Sequence, residues 1–177
     1  MNRDANDRSN RHLELSDGDL TRQCDVDLYR ASGPGGQKRN KVSSAVRLRH
    51  RPSGLIVTAT ESRSQHENRA RALRRLRRAL AFHVRSDVDL DAYRPGELLA
   101  GCISRQSRLS VGRRDHRYHR AVSEILDVLA ACDMKVSTAA ARIGVSTANL
   151  VAFLKADPAL WARVGQMRVT AGHKPLR

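Results

Sequence analysis

Apolar residues recur along this chain with two different periods, and the change from one to the other divides it. Up to residue 59 the period is two. Cys24, Val26 and Leu28 alternate with Asp25, Asp27 and Tyr29, and Val46 and Leu48 alternate with Arg47 and Arg49. Leu55, Val57 and Ala59 repeat the pattern, which predicts three strands with one buried face each. Pro52-Ser53-Gly54 supplies hairpin turn chemistry between the last two. Ala31-Ser32-Gly33-Pro34-Gly35-Gly36, between the first two, fits neither helix nor strand. From residue 64 the spacing turns helical. Ser64 and Glu67 read as a capping box, and Ala70, Leu73, Leu76 or Arg77, and Leu80 form a stripe of period 3.6. A shorter helical turn, capped by Ser16 with Asp19, precedes Cys24.

Residues 86–96 are acidic and turn-rich and read as a linker. Beyond them the pattern is helical to the end. Ala121, Val122, Ile125, Leu126 and Leu129 mark one helix. Residues 137–143, the turn Gly144-Val145-Ser146 and residues 147–155 have helix-turn-helix spacing. Pro158 stands just past the second of these helices, and Trp161 reads as a packing residue of the last one. The expected fold is α+β. Residues 1–15 are a disordered N-terminus, residues 16–85 a small antiparallel sheet with a loop and a packing helix, and residues 97–177 an all-α helix-turn-helix-like module.

Hydrophobic residues make up 40% of the 177 and charged ones 29%, a balance that belongs to a folded chain. The net charge of +15 exceeds what solubility requires and points to a polyanionic partner. Residues 30–85 hold fifteen Lys/Arg and two acids, Glu61 and Glu67, a net of +13. One face of the predicted helix carries Arg69, Arg71, Arg74, Arg75 and Arg78. Without nearby acids this ladder gains little from ion pairs, so phosphate contact is the better reading. Aromatics at 3% argue against a base-stacking surface.

Cys24, Cys102 and Cys132 are odd in number and far apart, as for reduced thiols serving as small apolar side chains. No apolar run has transmembrane length and the N-terminus lacks a signal-peptide core, so a cytoplasmic protein with no membrane partner is expected. His116 and His119 with Cys102 and Cys132 match no zinc spacing. No metal and no cofactor are expected. The start of the second helix of the turn motif, Thr147-Ala148-Asn149, offers little for base reading beyond Asn149, so sequence-specific DNA binding is not expected.

Candidate chemistry lies in Gly33-Pro34-Gly35-Gly36-Gln37. Adjacent glycines permit positive φ and a close approach of backbone to another molecule. The Gln37 backbone N–H can then donate to an oxyanion. The string holds no Ser, Cys or His nucleophile, so hydrolysis here uses a positioned water. Lys38, Arg39 and Lys41 form a positive collar suited to RNA phosphates.

Arg30-Ala31-Ser32-Gly33-Pro34-Gly35-Gly36-Gln37, then Asn40-Lys41, then Ser44-Ala45-Val46-Arg47-Leu48, resembles the catalytic domain of class I peptide chain release factors. Pro52-Ser53-Gly54-Leu55-Ile56-Val57 and Arg63-Ser64-Gln65-His66-Glu67-Asn68 continue the resemblance in register, over roughly residues 16–85. It implies a loop that enters the ribosomal peptidyl transferase centre and hydrolyses the ester between nascent peptide and tRNA. Gly35 and Gly36 would hold the backbone. The Gln37 N–H would stabilise the transition state or the departing 3′-hydroxyl, and its side chain would admit only water. The resemblance further implies N5-methylation of Gln37 by a glutamine methyltransferase, and contact of Asn40 and Lys41 with large-subunit rRNA. Ser64 would cap the packing helix, and Gln65 would be structural or RNA-facing.

The chain departs from the family pattern at Lys38 and Arg39, where many relatives carry a small or aromatic polar residue and then an apolar one. At 177 residues the chain leaves no room for a separate codon-reading domain, so codon-independent ribosome rescue is expected. The competing class is a non-catalytic rRNA-binding or ribosome assembly factor with the same fold. Intact Gly35, Gly36 and Gln37 favour the hydrolase.

Overall fold

In the computed structural model, residues 8–30 and 44–176 are described. The chain divides into two compact units, His12–Leu80 and a second made of Met1–Arg11 with Ala81–Arg177.

The first unit follows the period-two stretch. The end of α1 (Arg8–Glu14) and all of α2 (Asp17–Arg22) precede strands β1 (Cys24–Tyr29), β2 (Ala45–His50) and β3 (Ile56–Ala59), and α3 (Gln65–His83), whose last three residues count with the other unit, closes it. The strands form one antiparallel sheet in the order β1-β2-β3. Cys24 pairs with His50, Leu28 with Val46, and Val46 in turn with Ala59, so each apolar set falls on one face. Val46, Leu48 and Ala59 on that face and Leu73, Leu76 and Leu80 of α3 are all buried, and they form the core of this unit. The alternation weakens along β1, where Leu28 is 47% exposed; among the described residues β1 pairs with β2 alone. Gly54, at φ +71, closes the β2–β3 turn, and its N–H donates to the His50 carbonyl at 2.8 Å. No L-residue with a β-branched side chain fits that conformation without strain.

Residues 8–14 form a helix where disorder was expected. The reason is tertiary. Leu13 is buried, and the carbonyls of Leu13 and Leu15 accept from the Arg77 guanidinium at 3.0 and 2.7 Å. The Ser16 hydroxyl accepts from Asp19 N–H at 3.1 Å, the expected cap of α2. At α3 the Ser64 hydroxyl accepts from Glu67 N–H at 3.3 Å, while Ser64 N–H turns to the Ser62 hydroxyl at 3.0 Å.

The second unit contains the short helix α4 (Glu97–Ala100) and then α5 (Tyr118–Ala131), α6 (Val136–Ile143), α7 (Thr147–Lys155) and α8 (Pro158–Thr170). Ala121, Val122, Ile125, Leu126 and Leu129 are fully buried. Gly144 ends α6 at φ +88, and Ser146 caps α7 through Asn149 N–H at 3.1 Å. Pro158 opens α8 behind the Asp157 cap. Residues 86–96 are tied into this unit. Ser86 N–H donates to Asp127 at 3.0 Å, Gly96 N–H to Glu124 at 2.7 Å, and the Tyr93 hydroxyl to Glu124 at 2.9 Å. Buried Asp127 also binds the Arg85 guanidinium at 2.7 Å, and burial pulls that guanidinium down to about 10.

Candidate nucleic-acid interface

Gly35, Gly36 and Gln37, with Lys38, Arg39, Asn40 and Lys41, lie outside the described residues. Their two points of attachment are described. The chain leaves the sheet after Tyr29 and re-enters at Ala45, and these two residues are cross-strand partners. The loop therefore begins and ends on neighbouring strands. At its near foot the Arg47 guanidinium lies 5.1 Å from the Tyr29 ring centroid and 3.9 Å from Asp27. At its far foot Ala45 and Val46 are buried.

Asn68 fastens the far foot. This side chain is fully buried one turn into α3. Its Nδ2 donates to the Ser44 carbonyl at 2.7 Å and to the Ser62 carbonyl at 2.8 Å, and its Oδ1 accepts from Ser62 N–H at 3.0 Å. Both donors and an acceptor are satisfied, so one carboxamide joins the loop's return to the turn that starts α3. Spacing along the chain gives Asn68 no role. The available signal was its type: asparagine is a poor residue for a helix interior, so one placed there has a duty elsewhere.

The arginine ladder of α3 is not free of acids, contrary to expectation. Arg71 lies 3.6 Å from Glu67, one turn back, and Arg75 bonds both Glu61 and the Thr58 carbonyl. The Arg75 hydrogen bond is the main reason the Glu61 carboxyl titrates below its usual range. Helical phase also separates Arg69 from the rest. It stands four residues before Leu73 and seven before Leu76, on the leucine side, whereas Arg71, Arg74, Arg75 and Arg78 share the opposite one. Arg69 and Arg74 are exposed and have no ion-pair partner among the described residues. Pairs as exposed as Arg71–Glu67 are worth well under ~1 kcal/mol, so a phosphate can displace the carboxylate at little cost.

In the second unit, the residue at the start of α7 best suited to base reading is already engaged. Asn149 Oδ1 accepts from Leu109 N–H at 2.9 Å. Cys24, Cys102 and Cys132 are buried, and burial raises all three thiols. No described helix is long and apolar enough to cross a membrane.

Comparison with known proteins places this arrangement. The RF-1 domain matches residues 14–117, more than half of the chain. The chain belongs to this family, that of the class I release factor catalytic domain. Three proteins called peptide chain release factor 1 are similar to it. That of Erythrobacter litoralis is 34% identical over 124 residues, covering 67% of this chain and 34% of the relative. That of Gluconobacter oxydans is 41% identical over 105 residues, 59% of this chain and 26% of the relative. That of Gluconacetobacter diazotrophicus reaches 52% identity over 62 residues, 35% of this chain and 16% of the relative. The match thus spans about a third or less of each relative.

Proposed function

We propose that this chain hydrolyses the peptidyl-tRNA ester in the ribosomal peptidyl transferase centre and does so without reading a stop codon. The observation that carries this reading is Gly35-Gly36-Gln37 standing within the family match, between strand ends that pair with each other. The attacking oxygen comes from water. It adds to the ester carbonyl, the bond to the tRNA 3′-oxygen breaks, and that oxygen leaves as the hydroxyl with the proton the water gives up. The Gln37 backbone N–H stabilises the charge that develops on oxygen, and the glycines let it approach. The Gln37 side chain excludes larger nucleophiles, and it is the proposed site for a glutamine methyltransferase. Lys38, Arg39, Asn40 and Lys41, with the arginines of α3, hold rRNA phosphates. We assign residues 16–85 to the chemistry. Helices α5 to α8 lie beyond the family match, and we assign the helical module to choosing the stalled particle in place of codon reading.

The test is peptide release from ribosomes carrying labelled peptidyl-tRNA, with and without a stop codon. Equal release on both is expected. Gly36→Ala adds a Cβ where close approach is needed and should reduce release about 100- to 1000-fold while leaving ribosome binding nearly intact. Gln37→Ala should keep appreciable hydrolysis and admit hydroxylamine. Release confined to stop-codon ribosomes would remove codon independence. No release by the wild-type chain would leave the RNA-binding alternative in its place.

A further inference from the structure

We infer that the second unit carries an RNA-binding surface of its own within residues 101–117, a hairpin and the turn that follows it, which grips phosphates through Arg105 and Arg108 on the hairpin and Arg113 and Arg114 on the turn. The inference deepens the function proposed above by naming the partner of the helical module as RNA backbone.

The first observation is charge without partners. Residues 101–117 contain five arginines and one acid, a net of +4. That acid, Asp115, is engaged with Arg117. It lies 2.7 Å from Nη2, accepts from Arg117 N–H at 2.9 Å, and is held below the usual carboxylate range chiefly by that guanidinium. The other four arginines are exposed and have no carboxylate partner among the described residues.

The second observation is that the segment is pre-organised. Ile103 and Leu109 form an antiparallel bridge. Ser104 N–H donates to the Arg108 carbonyl at 2.8 Å, Ser110 N–H to the Cys102 carbonyl at 2.7 Å, and Ser107 turns the tip at φ +54. Cys102 and Val111 are buried, and Asn149 pins Leu109 to α7. The backbone holds this shape by itself, so the arginine side chains are not needed for it. Between the tip and α7 lies a groove of about 430 Å³, with Gln106, Ser107 and Arg108 on one wall and Ser146 and Asn149 on the other.

The third observation selects the partner. Protein interfaces are centred on buried aromatic or large apolar anchors, and the large apolar side chains of this segment face inward as half-buried Ile103 and Leu109 and buried Val111. What it offers outward is arginine, serine and glutamine, the side chains that contact phosphate and sugar. The low aromatic content excludes base stacking as the main term.

The experiment compares the full chain with its Arg105→Gln/Arg108→Gln/Arg113→Gln/Arg114→Gln variant, binding protein-free large-subunit rRNA across a salt series. Each lost phosphate contact should make the log–log slope shallower by about 0.7–0.9, or about three for the set, with affinity at low salt falling at least tenfold. The matching Arg→Lys set should keep the slope, and both should melt with the wild type because the hairpin bonds are backbone ones. An unchanged slope in the Gln variant would overturn the inference. So would weakened binding to whole ribosomes with unchanged binding to naked rRNA, since the surface would then face protein. Peptide release is read separately, so an inactive wild-type chain that still shows the slope change removes the hydrolase reading and leaves this one standing.

Discussion

His50 closes strand β2 fully buried, yet both its ring nitrogens are bonded. Nδ1 lies 2.7 Å from the Ser53 hydroxyl and Nε2 3.0 Å from Gln23 Oε1, an oxygen that His12 Nδ1 also reaches at 2.9 Å. An acceptor at Nε2 requires the proton there, so the ring sits as the neutral Nε2–H tautomer with Nδ1 accepting from Ser53. Burial, then the nearby charges of His12 and Arg51, pushes its pKa down from 6.5 to about 4. A folded-state pKa below the unfolded one means that the unfolded chain binds the proton first. The contribution to stability is therefore complete above pH ~6.5 and lost as pH falls toward 4. At pH 5 the loss is on the order of 1–2 kcal/mol. Denaturant midpoints from pH 7.5 to 4.5 should show His50→Gln less stable than the wild type at neutral pH, with the gap closing on acidification. A gap that stays constant would mean that His50 does not titrate in this range.

At the scale of elements, the joint that matters is between the returning foot of the loop and the start of α3. Ser44, Ser62 and Asn68 meet there through three hydrogen bonds around one buried carboxamide. Asn68→Leu keeps the volume but leaves two carbonyls and an N–H without partners, which should cost on the order of 2 kcal/mol or more of stability. The functional expectation is sharper. With the foot loosened, peptide release below the melting temperature should fall further than ribosome affinity does, because the proposed hydrolysis needs the loop held in place to position water. A release rate that falls only in step with the folded fraction would show that Asn68 is structural alone. The opposite side of α3 follows another rule. Arg71, Arg74, Arg75 and Arg78 share it, and the phosphate contact proposed for them rests on charge, which needs no fixed geometry.

Across the whole molecule the charge is more evenly spread than the linear sequence suggests. The stretch 30–85 carries +13, but the folded unit His12–Leu80 also contains Asp17, Asp25 and Asp27, which pair with Arg77, Arg51 and Arg47. That unit holds fifteen Lys/Arg and seven acids, a net of +8. The rest of the chain holds eighteen and eleven, a net of +7. Two basic units predict two separable shares of the salt dependence of rRNA binding. Neutralising the four α3 arginines to Gln should remove one share, neutralising the hairpin arginines the other, and the combined variant should lose the sum. Slopes for the three variants over the same salt series measure this. A combined loss no greater than the larger single loss would show that one surface does all the binding.

The sequence by itself determined what depends on neighbours along the chain. Period-two runs marked β1, β2 and β3, the Ser16 and Ser64 caps marked helix starts, and Gly144 marked the end of α6, because side-chain direction, capping and left-handed φ are settled within a few residues. The chemistry proposed for Gly35, Gly36 and Gln37 is likewise read from a short contiguous string. Tertiary structure decided what joins distant residues. It ordered 8–14 by bringing Arg77 to the Leu13 and Leu15 carbonyls, and it gave Asn68 its partner at Ser44. It tied residues 86–96 to Asp127 and Glu124, and it matched Arg75 with Glu61. None of these has a signature in spacing, because a buried hydrogen bond or an ion pair depends on separation in space, and the separation along the chain leaves that distance free.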